Sequence, residues 1–128
     1  MKRVITFGTF DVLHVGHLNL LERARGLGDQ LIVGVSTDEL NLSKKGRAPV
    51  FTLSERMRLV AALKCVDVVF EETSLDMKAN YLSKYNADLL VMGDDWQGRF
   101  DTFINQCDVQ YLKRTPSIST TAIIERMT

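Results

Sequence analysis

Gly8-Thr9-Phe10-Asp11-Val12-Leu13-His14-Val15-Gly16-His17 joins an apolar, β-rich segment, Val4-Ile5-Thr6-Phe7, to a helix-period run of Leu18, Leu20, Leu21, Ala24 and Leu27. A strand, a short loop and a helix in that order bring two histidines to the first turn of the helix. Unpaired backbone N–H groups and the positive end of the helix dipole lie there. Such an end attracts anions, phosphate foremost. Imidazoles at i and i+3 share one helix face and so reach the same phosphate. Gly8 and Gly16 carry no side chain, which permits close backbone approach to a ligand. These residues imply work on phosphates, with histidine as the donor.

Outward from this stretch, strand-like and helix-like segments alternate to the end of the chain. Short continuous apolar runs predict strands over Arg3–Phe7, Leu31–Ser36, Val66–Phe70, Leu89–Met92 and Val109–Leu112, as expected of strands covered on both faces. Helices are expected over His17–Leu27, Ser54–Lys64, Leu75–Tyr85 and Thr120–Met127. Thr52-Leu53-Ser54-Glu55 fits a capping box, and Gly26-Leu27-Gly28-Asp29 supplies a stop. Repeated βα units predict an α/β fold, a single Rossmann-like, doubly wound, five-stranded parallel sheet. Ligands of such sheets bind beyond the carboxyl ends of the strands, where the strand order reverses. The absence of G-x-G-x-x-G after the first strand disfavours a dinucleotide-binding dehydrogenase.

Bulk properties narrow the classes further. The chain of 128 residues is expected to form one domain, 1–128. Its 16 basic and 16 acidic side chains cancel, so nothing suggests nucleic acid as a partner. No secretory signal is apparent, and no run approaches the roughly 18 apolar residues of a membrane span. Cys65 and Cys107 have neither CxxC nor metal-ligand spacing. They read as free thiols of a reducing cytoplasm.

Three further constellations fall after strand ends. Arg114-Thr115-Pro116-Ser117-Ile118-Ser119-Thr120-Thr121 leads into the last helix. Arg114 is a cationic fork for phosphate oxygens, and Ser119, Thr120 and Thr121 suit either phosphate or a plain N-cap. Met92-Gly93-Asp94-Asp95-Trp96 ends the fourth strand. Gly93 reads as a tight turn there, and the carboxylates as acceptors for a base, a ribose or an ion's water, or as a solvated turn. Lys44, Lys45 and Arg47 form a basic loop, a solvated feature by default but one on the ligand side of the sheet.

The Gly8–His17 stretch resembles the signature of the HxGH nucleotidyltransferase superfamily, whose members transfer a nucleoside monophosphate to a phosphorylated acceptor and release pyrophosphate. The Arg114–Thr121 segment is similar to the second signature of the cytidylyltransferase branch. Gly93-Asp94-Asp95-Trp96-Gln97-Gly98-Arg99-Phe100-Asp101 resembles a stretch of cytidylyltransferases that act on glycerol 3-phosphate. With Leu21-Glu22-Arg23-Ala24 and Ser36-Thr37-Asp38-Glu39, the resemblance extends over essentially the whole chain. Two departures bear on the acceptor rather than on the reaction class. Lys64-Cys65-Val66-Asp67 stands where Arg-Tyr-Val-Asp is common, and the Lys-Lys-Gly-Arg-Ala-Pro loop is spaced differently.

The resemblance implies transfer of CMP from CTP to sn-glycerol 3-phosphate, giving CDP-glycerol for wall or capsular polymers. It implies catalytic roles for His14, His17 and Arg114. Nucleotide contacts would come from Gly8, Thr9, Phe10, Asp11, Gly16, Asp95, Thr115, Ile118, Ser119, Thr120 and Thr121. Lys44, Arg47, Arg56 and Lys78 would meet the acceptor. Mg²⁺ would accompany CTP, oriented by Asp11 or Asp95, with no dedicated metal cage; the protein would be a cytoplasmic homodimer. Three readings stay open beside this one: a different phosphorylated acceptor such as phosphocholine or phosphoethanolamine, an adenylyltransferase, and a nucleotide-binding module without catalysis.

Overall fold

Strands and helices alternate in the computed structural model, which describes residues 1–116 and 119–127. β1 (Arg3–Gly8), β2 (Gln30–Ser36), β3 (Val68–Glu72), β4 (Leu89–Gly93) and β5 (Asp108–Leu112) form one parallel sheet in the order β3-β2-β1-β4-β5. Successive side chains of a strand point to opposite faces, and the core divides accordingly. Val4, Leu31, Val33, Val35, Leu89 and Val91 face α1 (Val15–Arg25) and α3 (Leu53–Ala61), where Leu21, Ala24 and Val60 meet them. Ile5, Phe7, Ile32, Leu90 and Met92 face the opposite layer, with Tyr81 and Leu82 of α4 (Lys78–Lys84). Each such side chain, fully buried, contributes about 1.5–3 kcal/mol.

The strand order reverses between β1 and β4, and there the sheet parts. β1 pairs with β2 along all six of its residues but with β4 only through Val4↔Leu89 and Ile5↔Leu90. Beyond that point β1 stays with β2 while β4 stays with β5. The ends of β1 and β4 therefore diverge into a cleft whose floor is the Thr6 hydroxyl against the Met92 sulfur, 4.0 Å apart.

Three elements differ from the sequence expectation. The basic loop is in fact a helix, α2 (Asp38–Lys45), capped by the Thr37 hydroxyl on the Leu40 N–H and stopped by Gly46 in the left-handed region, φ 74°. The helix expected from Leu75 begins instead as a 3-10 turn, Leu75–Met77, before α4. β3 starts two residues late because the Asp67 carboxylate holds the Leu31 N–H and the Arg25 guanidinium. No helix among the described residues is long and apolar enough to cross a membrane.

Candidate active site

His14 is the N-cap of α1 and His17 its third residue. His14 Nδ1 accepts the Gly16 N–H at 3.0 Å, and His17 Nδ1 accepts the His14 N–H at 3.1 Å. An imidazole that accepts at Nδ1 carries its proton on Nε2, so both rings are neutral Nε2–H donors. The rings stack with centroids 3.9 Å apart. Burial, with His14 adding to it and Asp11 opposing, pulls His17 down to about 4. Burial lowers His14 as well. Phe10 packs its ring edge on His17.

The loop before the helix is held under strain. Phe10 and the β-branched Val12 have φ of 53° and 48°, a region such residues avoid. Gly8 is explained by this packing: a Cβ there would lie 2.8 Å from the Phe10 ring. Asp11 is buried, its carboxylate taking the N–H groups of Val12, Val50 and Phe51. It pins the α2–α3 loop, so the carboxylate expected to orient a metal already holds three backbone N–H groups.

Arg56 departs from expectation in the same way. It is completely buried and donates to the carbonyls of Phe51, Thr9 and Ser36 and to Asp38 at 2.7 Å. A guanidinium so occupied is an internal tie between β1, β2 and α3, and no face of it is left for an acceptor. Thr9 is held in turn by Asn41 at 2.8 Å, with Ser36 and the Lys45 ammonium at 3.3 Å. Buried Asn41 donates to Ser36 and Thr37.

The cations expected at the acceptor gather beside this network. Lys78 is buried, ion-paired with Glu72 at 2.7 Å, and its ammonium lies 4.2 Å and 5.2 Å from the Phe7 and Phe100 ring centroids. Partial burial lowers Lys44 below the ordinary lysine value; Glu72 opposes this, while Lys45, Lys78 and Arg56 add to it. Arg47 lies exposed beyond Gly46. Lys44 and Lys45 thus stand near Lys78 and Arg56, which Glu72 and Asp38 pair.

Across the cleft, β4 ends at Gly93, which has an ordinary φ of −64° and nothing within 4 Å of a Cβ added to it. The tight-turn reading of Gly93 is therefore corrected: neither backbone nor packing requires glycine here, and the space it leaves is open. Asp94–Trp96 forms a 3-10 turn that presents Asp95 to Arg114, 3.5 Å apart, both largely exposed. Thr115 accepts from Asn19 of α1 at 3.0 Å. Ser119 caps α5 (Thr120–Met127) by accepting the Ala122 N–H, and the Thr120 hydroxyl donates to the Asp11 carbonyl at 2.7 Å. Both hydroxyls serve the fold, as the N-cap alternative has it, leaving the α5 N-terminus and exposed Thr121 beside the signature loop. Ile118 lies outside the described residues.

Among the described residues no group of three or more His, Cys, Asp or Glu is placed to hold a metal. Asp11 is committed to backbone N–H groups and Asp95 faces the Arg114 guanidinium.

A strand–loop–helix signature at the point of strand reversal, facing a second helix N-terminus, is the geometry that the comparisons with known proteins address. Residues 5–126 match the family model for cytidylyltransferase-like proteins. The chain belongs to the cytidylyltransferase-like family. Among curated members of that family, glycerol-3-phosphate cytidylyltransferase of Bacillus subtilis is 48% identical over 99% of this chain and 98% of its own length. The enzyme of the same name from Staphylococcus aureus is 45% identical over 99% and 96%. The crystal structure of a lipopolysaccharide core biosynthesis protein from Thermoplasma volcanium superposes with a TM-score of 0.76, at 29% identity, over 90% of this chain and 97% of that one. The cytidylyltransferase-like fold is thus shared across chains of nearly the same extent.

Several residues that shape this family member's site escape a reading of the sequence. Asn41, Glu72 and Asp38 matter through long-range contacts with Thr9, Lys78 and Arg56. The helix that carries Asp38 and Asn41 did have a signal, in the capping Thr37 and the Gly46 stop.

Proposed function

We propose that the chain, as a single nucleotidyltransferase domain, transfers CMP from CTP to sn-glycerol 3-phosphate and releases pyrophosphate. The observation that carries this is the pair of stacked, neutral Nε2–H donors at the cleft where β1 and β4 part. An acceptor phosphate oxygen attacks the α-phosphorus in line; the new O–P bond forms as the bond to the bridging oxygen breaks, and pyrophosphate takes the electron pair. His14 and His17 donate to the α-phosphate and bridging oxygens, where charge develops. Arg114 exchanges Asp95 for the β- and γ-phosphates, with the α5 N-terminus and Thr121 beside it. Asp95 is then free for the ribose or base. Gly8, Thr9, Phe10 and Asp11 act by holding the histidine-bearing turn, and Gly93 leaves room for cytosine. Catalysis rests on positioning and charge stabilisation. Magnesium enters as part of the substrate, bound to the triphosphate.

The acceptor reading rests on Lys44 and Arg47 at the surface and on Lys78, which would exchange Glu72 for the acceptor phosphate, with Arg56 as the tie beneath them. The two aromatic faces nearest Lys78 already hold its ammonium, so neither stands open for a quaternary ammonium there. The full-length relatives named for glycerol 3-phosphate support the same choice. CDP-glycerol would feed teichoic-acid-like or capsular polymers, in a cytoplasmic homodimer. Light scattering at twice the 14.5 kDa of one chain checks the dimer.

Pyrophosphate release across a panel of triphosphates and acceptors tests the assignment. CTP with glycerol 3-phosphate is expected to be far faster than ATP or than phosphocholine. A site built to bond one base edge rejects a base that leaves its polar groups unpaired. ATP at equal rate overturns the base, and phosphocholine at a higher rate overturns the acceptor.

A further inference from the structure

The segment bearing Arg114 leaves the sheet at Leu112 and runs beside α1 as far as the described residues go, to Pro116. On its outer side is an open recess of about 480 Å³ that includes Asn19, Arg23, Lys113 and Thr115 in its wall. What steadies the segment is one face of α1. Asn19 and Arg23 stand four residues apart and so lie one above the other. Arg23 donates to the Lys113 carbonyl at 2.7 Å, and Asn19 donates to the Thr115 hydroxyl at 3.0 Å. The residues immediately before and after Arg114 are thus tied to one helix, whose first turn carries His14 and His17.

Resting on the function above, we propose that Asn19 and Arg23 are positioning residues that set the distance between Arg114 and the imidazole pair. Neither touches the reacting atoms. Arg114 itself is largely exposed and, among the described residues, its side chain makes the long contact to Asp95, so its own packing does not fix its place. A guanidinium on an untethered segment still attracts the triphosphate, but it samples orientations that do not meet the leaving group. Misplacement by about 1 Å can cost about 100-fold in rate.

The test pairs Asn19→Ala with Arg23→Met, which keeps the aliphatic stem of Arg23. The double variant is expected to keep its melting temperature within a few degrees and its KM for glycerol 3-phosphate. Its kcat/KM for CTP is expected to fall about 10- to 100-fold. In an Arg114→Ala background the same two changes are expected to cost little more, since groups acting through one residue are not additive. An equal further loss there means that the pair acts through the fold at large and overturns the proposal. An independent readout needs no turnover: ¹⁵N order parameters at residues 113–115 in the ligand-free protein are expected to fall from the rigid range, about 0.85, towards about 0.6. Unchanged order parameters overturn the clamp whatever the kinetics. If wild-type protein releases no pyrophosphate from CTP while the order parameters respond as stated, the clamp stands and the functional reading fails.

Discussion

His17 accepts the backbone N–H of His14 on Nδ1, and the two rings stack at 3.9 Å. The bond closes a capping box in which histidine does the work usually left to Ser and Glu. Each ring is thereby fixed in orientation and tautomer before any substrate arrives. His17→Ala is expected to lower kcat by about 10²- to 10³-fold, the loss typical of one preorganised donor, with a smaller change in KM. His14→Ala is expected to behave likewise. Near-normal turnover by either variant contradicts the assignment.

The depressed His17 value also makes stability depend on pH. The folded imidazole protonates near 4 and the unfolded one near 6.5, so between those values the unfolded chain binds more protons and stability rises with pH. The contribution is complete above about pH 6.5 and is lost as the pH falls towards 4, by up to about 3 kcal/mol. Denaturant midpoints measured across that window are expected to slope less in His17→Asn than in wild type. Parallel profiles contradict the cause.

Gly93→Ala separates packing from ligand space. Nothing in the protein meets the added methyl and the backbone there is ordinary, so the melting temperature is expected to change by only a degree or two. KM for CTP is expected to rise severalfold or more if the base lies against Gly93. Titration calorimetry with CTP checks it; unchanged affinity moves the base elsewhere.

Lys78 and Glu72 form a buried pair, and breaking one partner strands the other. Lys78→Met alone is expected to destabilise the fold by about 3–5 kcal/mol. Adding Glu72→Leu is expected to restore much of that loss, since apolar replacement of both partners is often near neutral. Use of glycerol 3-phosphate should stay impaired in the double variant. Stability and acceptor kinetics measured side by side distinguish an acceptor cation from a purely structural one.

The order of elements was legible because continuous apolar runs and the helix period survive in local sequence. Val4 to Phe7 and Leu89 to Met92 are strands whatever their neighbours. The phosphate-facing turn was legible for the same reason, since strand, loop and helix are contiguous. What the sequence hid is which polar groups consume one another. Asp11 and Lys78 look equally available on paper, yet one is bound to the N–H groups of Val50 and Phe51 and the other to Glu72. Those partners lie 39 and 40 residues from Asp11 and six from Lys78, and only tertiary folding pairs them. Arg56 shows this most sharply, because a cation near a phosphate site invites a ligand role until its carbonyl partners are seen.

The brief β1–β4 ladder leaves two half-sheets sharing a short seam. One half, β3-β2-β1, carries the lysine-rich acceptor side; the other, β4-β5, carries Gly93 and Arg114. A nucleotide lodged between them spans the gap that backbone pairing leaves, and acts as a removable rung. On the function proposed above, the nucleotide bridges both halves while the acceptor holds to the lysine-rich one, so the protein is expected to be least braced when empty.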